Sequence, residues 1–372
     1  MNALYRRFFA SLPVREVASD GALHLLSAAE VRFIRRRHRI ALALAATLAA
    51  LGFLAYYLPV YWFPEVFLTA PVAIEALALR FELPWVELVW GVLLMVVELY
   101  ALVLVNIWAV HEIAVATGWI DAASKEGAAG SVLKIALEER SRDLLRYGID
   151  PLLGMNRGLL FTFNLVLRLK GFLGSKALQY AVRRLLGRLP VREVLDFIGM
   201  PLYMVINAWS THVVIREAKV IIMGRQLIEH LVRRLPRGLA QGPEAQELLY
   251  DTLQVVAVSK RDFHENHALL TGALLEAYAI PIRPQESLPH AYGERLRGAP
   301  AGLRRLCALL LILGFVLDGQ VSWRERRRLE ALAAAGILEV RADEVERWCR
   351  AFVSGEGLEP LLAAYLEPAR SA

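Results

Sequence analysis

Residues 40–63 read IALALAATLAALGFLAYYLPVYWF and contain no charged side chain. A helix needs about 20 consecutive apolar residues to cross a hydrocarbon core, and this stretch supplies them. Just before it, Ser27 stands three residues ahead of Glu30, a capping-box pattern that predicts the start of a helix. Five arginines then occur between residues 32 and 39, and basic residues beside a span favour the cytoplasmic side. The sequence therefore predicts a transmembrane helix that enters the membrane from the cytoplasm.

A second apolar stretch runs from Leu83 to Val110 and carries Trp85, Trp90 and Trp108, a residue type that suits membrane interfaces. The connection between the two stretches, residues 64–83, has one basic and three acidic residues, so we expect it outside the cell. These features predict a two-helix transmembrane hairpin with both termini in the cytoplasm. Because the composition is rich in Ala, Leu and Arg, as in many bacterial chains, the expected location is the bacterial inner membrane.

The second stretch contains three polar side chains, Glu87, Glu98 and Asn106. Glu87 and Glu98 are eleven residues apart, close to three helical turns, so both should face the same way. A carboxyl group near the bilayer midplane is costly and is usually hidden from lipid. Two interpretations remain open for Glu98: it packs as a protonated or hydrogen-bonded residue between helices, or it relays protons or cations.

The composition of the 372-residue chain narrows the classes of function. Hydrophobic residues make up 56% of it and the formal net charge is +6, which favours a membrane protein that meets acidic partners. The two cysteines, Cys307 and Cys349, are far apart and lack a CxxC spacing, so we expect neither a disulfide framework nor a zinc site. No GxSxG, Walker-type or HExxH pattern occurs. We therefore expect a protein that is not an enzyme and that uses no cofactor.

Between two shorter apolar runs, residues 158–167 and 197–215, the chain is strongly basic. The basic residues that we expect on the membrane surface are Arg168, Lys170, Lys176, Arg183, Arg184, Arg188 and Arg192. If both runs crossed the bilayer, these residues would lie outside the cell, against the positive-inside tendency, so re-entrant or interfacial segments are expected. Anionic lipid is the expected partner. Nucleic acid is not expected, because no aromatic residues are interleaved for base stacking.

The run at 197–215 also contains two polar residues, Asn207 and His212. A hydrogen-bonded position in the core is expected for both, and pairing with Glu98 across the membrane is the alternative. Because they are five residues apart on a helix, they do not share a tight face, and no metal pair is expected.

The surrounding stretch VLDFIGMPLYMVINAWSTHVVIREAKVIIMGRQLI resembles the hallmark segment of EcsC-like bacterial membrane-associated proteins. The shared pattern is an apolar segment with Gly199 and Pro201, then Asn207, then a helix with basic residues and alanine; Met200 and Leu202 stand where that pattern favours small residues. The stretch is also similar to an uncharacterised family of bacterial membrane proteins with Arg-Glu-Ala after Asn-Ala-Trp. The EcsC-like resemblance implies a membrane-associated helical module, a link to an ABC transporter and secretion, and no catalytic residues.

Residues 245–367 have amphipathic helical periods and no strand signal, which predicts a soluble helical domain. Within it, LGFVLDGQVSWRERRRL at 313–329 invites a calcium-loop interpretation. A loop that started at Asp318 would have Arg324 in its middle and Leu329 at its closing position. An EF-hand needs oxygen ligands at alternate positions and a closing Glu, so this interpretation fails.

A helix corner explains the same stretch. Gly319 is free to take the left-handed conformation that stops one helix, and Ser322 with Glu325 forms a second capping box that starts the next. The apolar helix followed by Asp-Gly-x-Val-Ser and Glu325 also resembles TerB-like domains, small all-helical modules of tellurite-resistance and envelope-stress systems. That resemblance implies an acidic, sometimes metal-associated surface at Asp318 and Glu325, although arginines surround both here. His264 and His267 lack a third ligand, so no metal site is expected.

The expected fold is all-α with four regions: a basic cytoplasmic segment at 1–39, a transmembrane hairpin at 40–112, a membrane-associated basic region at 113–236 and a helical TerB-like domain at 237–372. The favoured function is a non-enzymatic inner-membrane adaptor or sensor with a protein partner or a second copy of itself. The alternatives are a transport-related oligomer that uses Glu98 and a membrane-lipid enzyme.

Overall fold

The computed structural model describes residues 3–14, 25–68, 70–74, 79–83, 85–121, 124–137, 143–149, 192–236, 238–260, 264–283 and 291–366. The twelve α-helices within them are α1 Ala3–Ser11, α2 Ala28–Trp62, α3 Trp85–Ala116, α4 Lys125–Ala136, α5 Arg192–Arg234, α6 Pro243–Lys260, α7 Glu265–Ala277, α8 Tyr292–Gly298, α9 Ala301–Val316, α10 Trp323–Ala334, α11 Ala342–Ser354 and α12 Glu359–Leu366. The all-α class is thus confirmed, with one addition. Strands β1 (Ala70–Ile74) and β2 (Leu79–Leu83) form a short antiparallel hairpin in the connection between α2 and α3.

Part of the basic middle region lies outside the described residues. This applies to the apolar run at 158–167 and to six of the seven basic residues expected on the membrane surface, namely Arg168, Lys170, Lys176, Arg183, Arg184 and Arg188. The seventh, Arg192, is the first residue of α5. The expectation that these residues lie on lipid stays a prediction.

Helix α2 starts where its capping box predicts. The backbone N–H of Ser27 donates to the Glu30 carboxylate at 2.7 Å, and the Ser27 hydroxyl accepts from the Glu30 N–H at 3.3 Å. The helix then runs without a break through the arginine-rich segment and the apolar stretch. One continuous helix therefore includes both the basic flank and the expected span.

Helices α2 and α3 are the two helices of the described residues that are long and apolar enough to cross a membrane. In their most apolar windows only 22% and 6% of the residues are buried, whereas the core helix of a soluble protein is mostly buried. Their outward faces present large apolar side chains, such as Leu51 and Val97, each 56% exposed. A continuous apolar surface of this kind is compatible with lipid.

The packing of α2 uses small residues. Ala41, Ala45 and Ala49 are fully buried and recur every four residues, so they form one face of the helix. Small side chains let neighbouring helices approach closely, which is how helices associate where lipid surrounds them. Helices α3 and α5 both pack against α2.

Although its expected re-entrant or interfacial position in the membrane stays a prediction, the run at 197–215 is helical throughout. It belongs to α5, a single helix of 43 residues that includes Pro201 and packs against α2 and α3. The polar residues Asn207 and Thr211 do not break the helix because both are buried against its neighbours. At 1.5 Å per residue, α5 is about 65 Å long.

Helix α5 is shared by two apolar cores. The first core contains Ala41 of α2, Ile107 of α3 and Ile222 of α5. The second contains α5 residues between Val220 and Leu231, and Leu235 just after the helix, together with the helices of the C-terminal domain. The C-terminal core therefore begins before residue 237, inside the basic region expected at 113–236.

Replacing Gly314 by alanine should destabilise the C-terminal domain. A Cβ at Gly314 on α9 would overlap the side chain of Val256 on α6. Overpacking a core costs about 1–3 kcal/mol, and the unfolding free energy should fall by that amount. The measurement is denaturant unfolding of the full chain in detergent, followed by helical circular dichroism. Gly298→Ala is the control, because a Cβ at Gly298 meets nothing within 4 Å; equal stability of the two variants would contradict the packing argument.

Candidate functional site

The helix corner between α9 and α10 has the predicted construction. Gly319 has a φ of 72°, and a Cβ there would lie 2.8 Å from both Val220 on α5 and Val353 on α11. The Ser322 N–H donates to the Glu325 carboxylate at 2.6 Å, and the Ser322 hydroxyl accepts from the Glu325 N–H at 3.4 Å. The second capping box is therefore confirmed. Glycine is required at the corner both by the backbone conformation and by the close approach of α5.

The acids of this corner hold a lysine from another helix. The ammonium of Lys260, the last residue of α6, lies 2.7 Å from Asp318 Oδ2 and 2.8 Å from Glu325 Oε1. It also donates to the backbone carbonyl of Gln320 at 3.4 Å. The Lys260 side chain is 0% exposed, and both carboxylates are buried with it. The ammonium thus occupies the position between the two acids that a bound cation would take.

Charge is stabilised within this cluster by mutual pairing. Burial lowers the pKa of Lys260, but the Asp318 and Glu325 carboxylates raise it more, so the net shift is upward. Burial raises the pKa of Asp318 while Lys260 opposes that shift, and the net direction is also upward. The upward pKa shift of Lys260 means that pairing outweighs desolvation, whereas the upward pKa shift of Asp318 means that desolvation outweighs pairing. We assign a charged lysine, because the ammonium has two carboxylates and a carbonyl around it, whereas Asp318 shares its one ammonium with Glu325.

Asn266 connects the same corner to α5. Its side-chain amide, fully buried at the start of α7, donates to the carbonyl of Val220 at 3.0 Å and to that of Leu317 at 2.7 Å. Gly224 of α5 leaves the space that the amide fills, since a Cβ there would overlap it. One side chain therefore joins the α5 backbone to the end of α9.

His264 and His267 have separate partners. Nδ1 of His264 accepts from the Asn266 N–H at 3.1 Å, which caps α7, and its Nε2 lies 3.3 Å from Glu217. Nε2 of His267 donates to the Gly314 carbonyl at 2.8 Å. Burial lowers the pKa of His267 well below its ordinary value, so the ring is neutral. Within the described residues, no group of three or more His, Cys, Asp or Glu side chains could hold a metal ion.

The two glutamates of α3 both face α2, as their spacing predicts. The Tyr56 hydroxyl of α2 donates to Glu87 at 2.6 Å. Glu98 accepts from the side-chain amide of Asn207 on α5 at 2.7 Å, and its other oxygen lies against Gly52 of α2. The alternative pairing of Asn207 with Glu98 is therefore what the structure brings together.

The third polar residue of α3 and the residues at the end of that helix are also packed. Asn106 and His111 are buried. Next to His111, the Glu112 carboxylate lies 2.8 Å from the guanidinium of Arg37 on α2. This ion pair joins the basic flank of α2 to the end of α3.

Two of the residues that matter here, Lys260 and His38, were not among those singled out from the sequence. Lys260 follows the apolar run VVAVS, and a lysine at the end of such a run is a signal for a buried cation that needs acids. His38 stacks on His212 with ring nitrogens 3.0 Å apart, and one ring donates to the other. No local sequence pattern predicts that contact, because the two histidines are 174 positions apart in sequence.

Replacing Lys260 by methionine should destabilise the protein strongly. Removal of the ammonium leaves two buried carboxylates without a counter-charge, which costs about 3–5 kcal/mol of unfolding free energy. Denaturant unfolding at pH 7.5 measures the change. Arg347→Met is the matched control, because Arg347 pairs with Glu344 at the surface, 3.3 Å away, and should contribute little.

The triple variant Lys260→Met, Asp318→Asn, Glu325→Gln separates the ion cluster from simple packing. Both amides keep an oxygen that can accept the local N–H bonds, so most of the lost stability should return. If Lys260→Met alone were as stable as the natural chain, the cluster would have no role in holding the corner.

His267 should make the domain sensitive to acid. Its folded pKa lies below the ordinary 6.5, so as pH falls below 6.5 the unfolded chain binds a proton that the folded chain does not. Stability should therefore fall by up to about 1.4 kcal/mol per pH unit from this residue. His267→Gln keeps the N–H donor and removes the titration. Unfolding measured at pH 7.5, 6.5 and 5.5 should show a shallower loss for the variant, and parallel curves would refute the assignment.

Comparison with known proteins gives no family assignment, since no family model, curated protein or solved structure matches the chain. The EcsC-like and TerB-like resemblances stay predictions. Asp318 and Glu325, the two positions that the TerB-like resemblance singles out, hold Lys260 in this chain. The functional argument therefore rests on the geometry of the chain itself.

Proposed function

We propose that this protein is a non-enzymatic adaptor or sensor, anchored in the bacterial inner membrane, that presents a helical domain to the cytoplasm. One observation carries the proposal. Helices α2 and α3 leave wide apolar faces exposed, while α5 packs against both and continues into the core of the C-terminal helices. Such a chain has an anchor and a presented domain joined by one helix. The resemblances suggest envelope stress or transporter regulation as the process.

The arginine-rich flank of α2 supports a cytoplasmic location for both termini. Basic residues beside a span favour the cytoplasmic side, and this flank carries Arg32, Arg35, Arg36 and Arg39 in exposed positions. Arg37 pairs with Glu112 at 2.8 Å, so the flank and the end of α3 lie at the same level. The C-terminal domain follows from α5 on that side.

The polar clusters support binding and packing roles in preference to chemistry. Lys260 is fully enclosed, so its cluster has no face for a substrate and serves to hold the corner. Glu98 is engaged by Asn207 and lies against Gly52, contacts that a packing residue makes. We therefore assign a packing role to Glu98 and favour the adaptor over the transport-related oligomer.

A surface on α10 has the features of a protein contact. Trp323 is 64% exposed, and the guanidinium of Arg327 lies 3.8 Å from the centre of its ring. Arg324 and Arg328 are exposed beside them. Because Trp and Arg are enriched among residues that dominate binding energy, this surface fits an acidic segment of a partner protein.

The double variant Trp323→Ala, Arg327→Ala should lose a partner in crosslinking pulldowns from native membranes. Recovery should fall about tenfold or more, since truncating a dominant contact residue costs at least about 2 kcal/mol. Ile282→Ala with Arg283→Ala is the matched control, because it removes another exposed apolar residue and arginine from the same domain. Point variants are preferable to truncation after α5, which would uncover the apolar side chains of its second half.

Two outcomes would overturn parts of this proposal. The same partners from both double variants would remove α10 as the contact surface. Recovery of the full chain in the soluble fraction, without detergent, would remove the membrane anchor.

A further inference from the structure

Four basic residues meet where α2 and α5 pack together. Arg35 and His38 are three residues apart on α2 and so lie on one face, while His212 and Lys219 are two helical turns apart on α5. The His38 and His212 rings stack with centroids 5.0 Å apart. Lys219 lies within electrostatic range of both His38 and Arg35. The two helices thus bring their basic residues to one place.

In the part of the chain that the structure describes, no carboxylate is bonded to this cluster. Within the described residues, no ion pair or hydrogen bond joins Arg35 or Lys219 to a carboxylate, and the two histidines bond to each other. The acids on adjoining positions are engaged elsewhere: Glu112 faces Arg37, and Glu217 faces His264.

The excess of positive charge affects the pKa of Lys219. Burial lowers the pKa of Lys219, and the nearby charge of Arg35 lowers it further. An anion bound beside the two cations would relieve their repulsion and compensate the desolvation of Lys219.

An apolar face of α5 leads up to the cluster. Its exposed side chains are Leu202, Val205, Ile206, Trp209 and Val213. Their spacing places them along one side of the helix, and their side chains are between 37% and 68% exposed. Trp209, 68% exposed, stacks on His212 with ring centroids 5.8 Å apart, so the apolar face ends at the basic cluster.

We propose that Arg35, His38, His212 and Lys219 bind the phosphate of an anionic phospholipid whose acyl chains lie along the apolar face of α5. Cationic side chains supply charge-assisted hydrogen bonds to phosphate oxygens, and the adjoining face supplies the apolar contact that a free phosphate cannot use. Trp209 stands between the two parts, where an amphipathic ring suits the headgroup level. This inference rests on the membrane location proposed above and names the lipid class that the anchor recognises.

Native mass spectrometry of the full chain, purified from membranes and titrated with phosphatidylglycerol, tests the site. Arg35→Gln with Lys219→Gln should weaken binding by about 25-fold, because each basic residue near an anionic surface contributes about fivefold. Arg32→Gln with Arg36→Gln is the matched control, since it removes the same charge from two positions of α2 outside the cluster. The control should bind nearly as the natural chain does. Arg35→Lys with Lys219→Arg keeps the charge and should retain binding if the fold is intact.

Three results would overturn the proposal. Equal losses of phosphatidylglycerol binding in the two double glutamine variants would show that only the general surface charge matters for binding. Equal binding of phosphatidylcholine would remove the need for an anionic headgroup. Competition by millimolar inorganic phosphate alone would assign the cluster to a free ion. Each of these leaves the membrane anchor standing, whereas recovery of the protein without membranes would remove the anchor as well.

Discussion

Helix α5 has to satisfy two environments along one axis, and the rest of the structure is arranged around that constraint. Its first half exposes apolar side chains and buries Asn207 against Glu98, which suits a helix surrounded by lipid and other helices. Its second half contributes Met223, Leu227 and Leu231 to the C-terminal core. The helix continues without interruption through both halves, so α2 and α3 are joined to the C-terminal domain by a helix and not by a flexible linker. A shared helix fixes their relative orientation far more firmly than a Gly- or Ser-rich connection would.

The ion cluster at Lys260 is a costly way to close a helix corner. Taking three charged groups out of water carries a large desolvation penalty, and apolar side chains of similar size could often fill the same space at equal or greater stability. The contribution of the cluster is to favour one packing of α6 against the corner over other packings. Lys260 reaches its acids only if α6 ends beside the α9–α10 corner, and Glu325 can cap α10 while its second oxygen meets the ammonium. A misplaced corner would leave buried charges without partners, so alternative packings are disfavoured.

Much of the local structure could be predicted from the sequence, because local rules determine it. The two capping boxes and the left-handed Gly319 need only neighbouring residues, and the apolar stretches identify α2 and α3 by length and composition. The partners of the polar residues could not be predicted with the same confidence. Lys260 and Asp318 are 58 positions apart, and periodicity gives no information about which helix will deliver a cation to a corner. For the run at 197–215, where a re-entrant or interfacial segment was expected, the sequence did not reveal that one continuous helix would bury polar residues against partners on other helices, such as Glu98 for Asn207.

A few hydrogen bonds connect the α9–α10 corner to the part of α5 that carries Lys219. Lys219 is followed by Val220, whose carbonyl accepts from Asn266, and the same amide donates to Leu317 at the end of α9. Arg216, one turn earlier on α5, donates to the Gln320 side chain at 3.1 Å within the corner itself. Trp323 begins the next helix. Asn266 and Arg216 therefore join the part of α5 that carries Lys219 to the corner that precedes Trp323.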